Sequence, residues 1–334
     1  MNEFIFFINN VVVSGLVLGS VYALGGIGIT LVFGILRFAH FAHGDMMTMG
    51  AFVTFLLAAM LTATGIVLPI PLAIIVLPFA MLITAGLALG IDRGFYQPLR
   101  ARGARPVTLL IGSIGVTLII QGLIRLVFGT GTYSFFDEAP KVLYRVPVPL
   151  FDAQRTINFT QPQVLMVFAT ILVVVVLHLF LTRSKFGKAM RAMADNADLA
   201  QVSGINTKLV IRVTWIIAGS LACLAGTMLA LDVTLKPDLA FNIVLPLFAA
   251  AIVGGLGQAY GAIAGGFLIG FAEVCAVFNW AILLRPFKDR FPEWFEIPNN
   301  LAIVPTEYKL TVAFVILVIT LLVRPTGIFK GASS

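Results

Sequence analysis

VVVSGLVLGSVYALGGIGITLVFGIL, residues 11–36, runs 26 residues without a charge. A helix crossing a bilayer needs about 20 such residues. The chain repeats this pattern. Residues 46–91 are uncharged and too long for one crossing, and Gly65, Pro69 and Pro71 supply a turn near their middle. Residues 106–124, 163–182 and 213–231 make one span each. Residues 239–284 hold Glu273 as their only charge and divide at the glycine-rich stretch 254–257. Residues 310–323 are short and lean on snorkelling by Lys309 and Arg324. The count is nine segments, one or two of them short enough to be re-entrant, hence about 8–9 crossings.

The composition agrees. The 334 residues are 60% hydrophobic and 11% charged, against about 25% charged in a soluble domain. Inside lipid every backbone group must be bonded internally. Long continuous runs, not alternating ten-residue strands, therefore predict an all-α polytopic membrane protein, a helical bundle and not a barrel. The net charge of +7 is spread over loops and suits no nucleic acid. Cys223 and Cys275 sit in apolar runs and form no ligand spacing. Glu3 stands where a secretory leader has a basic region, so no cleaved leader is expected.

Lysine and arginine set the orientation. Residues 92–105 and 183–212 are the basic connections and are expected in the cytoplasm, with Arg324 and Lys330. Residues 125–162 and 285–309 are nearly balanced and are expected outside. Nine spans then put the N-terminus outside. Residues 1–334 read as one membrane domain.

Few residues carry candidate function. Glu273 lies within an apolar run, where a carboxyl is costly and turns to a bundle interior or a wet cavity. Pathway lining, proton coupling and pairing with a partner subunit all fit it. Its helical angle from Gly261 and Gly265, roughly 120° and 80°, takes it out of their seam. Gly257, Gly261 and Gly265 fall four apart, and Gly266 and Gly270 repeat the spacing. Such a stripe serves close packing or a pore lining. His40, His43 and Asp45 cluster after Arg37, where Gly44 would permit a sharp change of direction. No further ligand cluster completes a metal site, so none is expected. His178 lies late in its span and reads as interfacial. Residues 188–203 read as one short helix, stopped by Gly204, with Asn206 or Thr207 capping the next span. There is no phosphate-binding loop, nucleophile triad or H-E-x-x-H pattern, and neither enzyme nor cofactor is expected of this chain.

The stretch GLVLGSVYALGGIGITLVFGILRFAHFAHGDMMTMGA, residues 15–51, resembles the opening of the branched-chain amino acid permeases of ABC importers, the LivH-like family. Phe41-Ala42-His43-Gly44-Asp45 matches that family's signature, with His40 where asparagine is common. VTLLIGSIGVTLIIQG (107–122), GKAMRAMADNADLAQVSGIN (187–206), AAAIVGGLGQAYGAIAGGFLIGFAE (249–273) and RPTGIF (324–329) are similar to later parts of it, in order. The resemblance implies a type II importer-like permease fold in the bacterial inner membrane. It implies a second, LivM-like permease, two cytoplasmic ATPases and a periplasmic binding protein as partners. It places a coupling loop at 183–212, with Arg191, Asp198, Ala200 and Gly204 contacting the ATPase. Only part of the importer coupling motif is matched there. Residues 285–308 are longer than the family's usual connection. The family's substrates include branched-chain amino acids, urea, amides and aromatic acids. A stand-alone proton- or sodium-coupled transporter using Glu273, or a passive channel, are the rival readings. Gly19, Ser20, Leu24 and Gly26 recur as Gly219, Ser220, Leu224 and Gly226, a faint sign of two related halves.

Overall fold

The computed structural model describes residues 2–65, 71–136, 140–147, 156–286 and 298–329. Its helices are α1 (Asn2–Leu36), α2 (His43–Thr62), α3 (Leu72–Ala101), α4 (Pro106–Phe128) and α5 (Gln161–Arg183). Two short helices follow, α6 (Lys185–Asp195) and α7 (Ala197–Val202). Then come α8 (Thr207–Asp232), the short α9 (Val244–Gly254), α10 (Ala259–Val277) and α11 (Thr306–Val323). A strand pair, β1 (Leu143–Val146) against β2 (Ile157–Thr160), precedes α5 and runs antiparallel.

Eight of these helices are long and apolar enough to span a bilayer. The ninth expected segment is α9, whose 11 residues cover about 16 Å. It is preceded by a non-α stretch, and the two together make the remaining passage. The residues expected to divide 46–91 hold in part. Thr62 ends α2, Gly65 takes φ +77°, and Pro71 precedes α3, whereas Pro69 lies outside the described residues. So do Phe287, Trp294 and Phe295 of the long 285–308 connection, and Lys330.

Contacts sort the connections into two ends. Arg37 donates to the carbonyl of Ala194 in α6, and Phe329 N donates to Gly254 O at 3.2 Å. Tyr96 stacks on Trp215, early in α8. The basic connections 92–105 and 183–212 therefore share one end, here the α6 end. At the opposite, hairpin end, Asn9 Nδ2 donates to Thr156 O at 3.0 Å and Val304 N to Ala276 O at 3.0 Å. The start of α1 and the end of α11 fall at opposite ends, as nine passages require.

α1 is the centre. In its most apolar window 83% of residues are buried, against 6% in α11. α10 presents two glycine faces. Gly266 and Gly270 lie on α1, where an added Cβ would sit 2.5 Å from the nitrogens of Ala23 and Gly19. Gly261 and Gly265 lie on Gly254 and Ala250 of α9. The stripe thus serves packing on both sides, and Gly257 falls in the turn before α10 with φ +86°.

One helix was expected over 188–203, and two form. Asn196 is extended (φ −153°) and its Oδ1 accepts from Leu199 N at 2.9 Å. That local bond ends α6 and caps α7. The stop at Gly204 (φ +84°) and the cap from Asn206 to Leu209 N, 3.1 Å, are as read from the sequence.

Gly270→Leu should push α10 off α1, costing about 1–3 kcal/mol or more because the obstacle is backbone. Gly115→Leu, with nothing within 4 Å, should be neutral. Thermal unfolding of the detergent-solubilised protein compares them, and equal midpoints would contradict the seam.

Candidate functional site

The chain reverses after α1 at Arg37, a non-glycine residue at φ +56°. Arg37, not Gly44, makes the change of direction. Gly44 lies inside the first turn of α2 and packs on Ala240 O and Val244. Residues 38–42 run back into the bundle without helix, and Phe38, His40 and Ala42 are buried. An unwound segment in the membrane must be enclosed by protein or water. Here protein encloses it. His40 Nδ1 lies 3.1 Å from Tyr96 Oη, its Nε2 3.3 Å from Met46 Sδ, and its ring meets Trp215 edge-on. Phe41 N donates to Ser113 Oγ at 3.1 Å.

His43 and Asp45 are fully enclosed in the first turn of α2. The His43 ring fills the space left by Gly28, and neither ring nitrogen has a hydrogen-bond partner among the described residues. Asp45 Oδ1 accepts from Gln121 Nε2 at 2.9 Å, and Gln121 Oε1 accepts from Arg125 Nη1 at 3.1 Å. A carboxylate near a helix N-terminus is favourable, and this relay links it to exposed Arg125 on α4. Gln121 and Arg125 are i, i+4 neighbours, a pairing visible in the sequence, but their target on α2 is not. Among the described residues no three His, Cys, Asp or Glu side chains gather as a metal-ligand group.

Glu273 stands apart from this cluster. It is 0% exposed and accepts from Tyr22 Oη at 2.9 Å. Lys309 Nζ, at the start of α11, lies 4.0 Å from its Oε2. The carboxyl is on the α1 side of α10, out of the Gly261–Gly265 seam, and is enclosed by this chain's own helices. Tyr22 and Lys309 were not singled out in the sequence, because contacts across 251 and 36 positions leave no local pattern.

The coupling candidates lie at the α6 end. Asp198 is exposed in the first turn of α7, Ala200 is buried beneath it, and Gly204 follows its end. Leu199 and Val202, missed in the sequence, are 64% and 85% exposed on the same helix. Their three-residue spacing was the available signal. Arg191 lines a cleft of about 380 Å³ with Gly34, His178, Gly257 and Tyr260. His178 Nδ1 lies 2.8 Å from Tyr260 Oη at its mouth.

Tyr22→Phe should remove the hydroxyl from the buried carboxyl of Glu273. Interhelical hydrogen bonds in membranes are worth about 0.6 kcal/mol on average and up to about 1.7, and a loss in that range is expected in unfolding measurements. Tyr22→Phe combined with Glu273→Gln should cost less than the sum of the two. Strict additivity would show that the groups do not interact.

Residues 11–321 match the family model described as branched-chain amino acid transport system / permease component. The chain is 30% identical over 327 residues to the high-affinity branched-chain amino acid transport system permease protein LivH of Escherichia coli K12, covering 98% of this chain and 96% of that one. It is 30% identical to the corresponding BraD protein of Pseudomonas aeruginosa over 321 residues, 95% and 94% of the two chains. It is 29% identical to a probable LivH of Methanocaldococcus jannaschii over 322 residues, 94% and 90%. No solved structure matches. With eight span-length helices and a match along nearly its whole length, this chain is a multi-pass membrane protein that belongs to the family of permease components of branched-chain amino acid transport systems.

Proposed function

We propose that this chain is the permease subunit of an ATP-binding-cassette importer in the bacterial inner membrane. It pairs with a second, LivM-like permease, is driven by two cytoplasmic ATPase subunits and receives its solute from a periplasmic binding protein. The solute is a branched-chain amino acid or a related small polar compound. Residues 183–212 face the cytoplasm, and residues 125–162 and 285–309 face outward.

The observation that supports this is α7. It stands at the basic end of the bundle and leaves Leu199 and Val202 uncovered beside Asp198. Two exposed apolar side chains on a six-residue helix outside the spans call for a protein groove. An ATPase surface at the cytoplasmic face supplies one. α6 gives the docking element a lever. Its buried Met190 and Met193 seat it on the bundle, and the Ala194 carbonyl holds Arg37. Arg37 is the hinge from which residues 38–42 lead to His43 and Asp45. A push on α7 therefore reaches the unwound segment through one rigid element and one hydrogen bond. Glu273 acts as an intrachain tie between α1, α10 and α11, not as a proton carrier.

Leu199→Asp with Val202→Asp should leave membrane levels unchanged. In proteoliposomes with the ATPases and binding protein, it should lower substrate-stimulated ATP hydrolysis and uptake at least about tenfold, since a docking hot spot contributes about 2 kcal/mol or more. Gly204→Val, strained at φ +84°, should act in the same direction. Normal uptake in both variants would overturn the docking role. Uptake by this chain alone, driven by a pH gradient without ATP, would replace the importer reading with a secondary transporter.

A further inference from the structure

The passage between α8 and α9 is not α-helical. Residues 233–240 run irregularly, with Leu235 bridged to Tyr133, and a single 3₁₀ turn, Phe241–Ile243, leads into α9. Its depth follows from its neighbours. Ala240 N donates to Thr48 Oγ1 at 3.1 Å, and Thr48 lies about 21 Å of helix from the hairpin end of α2. From Val244, α9 runs about 16 Å to the α6 end. The turn thus sits deep inside the bundle, near half its height. There it is uncovered. Phe241 is 48% and Leu245 43% exposed, and Asn242 is exposed between them. Toward the hairpin end Lys236 and Asp238, each about two-fifths exposed, face one another at 4.0 Å.

Irregular backbone and an exposed amide side chain do not face acyl chains at such depth. They occur where protein or water covers them. The exposed face of α11, by contrast, is helical and apolar, as lipid requires. The candidates Glu273, His43 and Asp45 are enclosed and reach no surface.

Resting on the permease reading, we infer that Phe241, Asn242 and Leu245 line the water-filled passage for the transported solute. The face offers an amide for a polar head and two apolar side chains for a short hydrocarbon body. That fits a small amphipathic solute better than a wholly polar one.

The test uses the assembled transporter in proteoliposomes. Asn242→Cys and Phe241→Cys are made in a Cys275→Ala parent, since Cys275 is partly exposed whereas Cys223 is buried. They are treated with a charged, membrane-impermeant thiol reagent, with labelling read above that parent. Ile319→Cys on exposed α11 is the lipid-facing control. Thiols react as thiolates, which form in water and not among acyl chains, so both variants should label at least about tenfold faster than the control. Solute with its binding protein should slow that labelling, and labelling should block uptake. Labelling no faster than the control at both positions overturns the inference. So does oxidative cross-linking, by copper phenanthroline, of Asn242→Cys to a cysteine introduced in the second permease, without reagent access at position 242, which would mark a dry interface. Such failure with ATP-dependent uptake intact overturns the passage alone, whereas uptake without ATP overturns the importer reading.

Discussion

Amide and carbonyl groups inside a bilayer have no water to bond, and the architecture of this permease follows from that constraint. It forces the apolar runs into helices. It also makes each departure from helix informative. Two departures enter the membrane depth, residues 38–42 and 233–243. The first is wrapped by Tyr96, Trp215 and Ser113. The second is covered on one side only, which is why it points to a passage.

The helices around these breaks approach closely. Lipid tails are as apolar as leucine, so burial of apolar surface does not drive helices together within the membrane. Contact between backbones does. The glycines of α10 bring it onto α1 on one face and α9 on the other. α8 meets α2 in the same way, with Gly226 against the backbone of Met47. Gly226, Gly266 and Gly270 stand where two backbones meet, whereas Gly115 faces open space.

The polar groups left inside are placed by the same frame. Thr48 caps the irregular segment before α9, Gln121 serves Asp45, and Tyr22 serves Glu273. Each ties together two segments distant in sequence. The unwound segments end at mid-depth beside one another, since Gly44 of α2 packs on Ala240 and Val244. α1 followed by a break and α2, and α8 followed by a break and α9, are built alike. The weak repeat of Gly19 and Ser20 as Gly219 and Ser220 falls on these two leading helices.

The sequence by itself determined the class of molecule, a count of about 8–9 passages, the shared end of the basic connections and the family. Charge-free length and lysine or arginine placement are local properties, and the solvent reads them directly. It also placed the stop at Gly204 and narrowed the cap to Asn206 or Thr207, of which Asn206 is used, because those bonds close within a few residues. It did not divide 188–203 at Asn196, where a side chain competes with the backbone for one amide. It put the change of direction at Gly44, although glycine's freedom was used for close approach and Arg37 took the left-handed turn. Tertiary structure alone decided that Glu273 faces Tyr22, that Asp45 meets Gln121, and that Asn242 is uncovered at mid-depth. Helical periodicity fixes which residues share a face. Which neighbour covers that face depends on contacts between segments far apart in the chain.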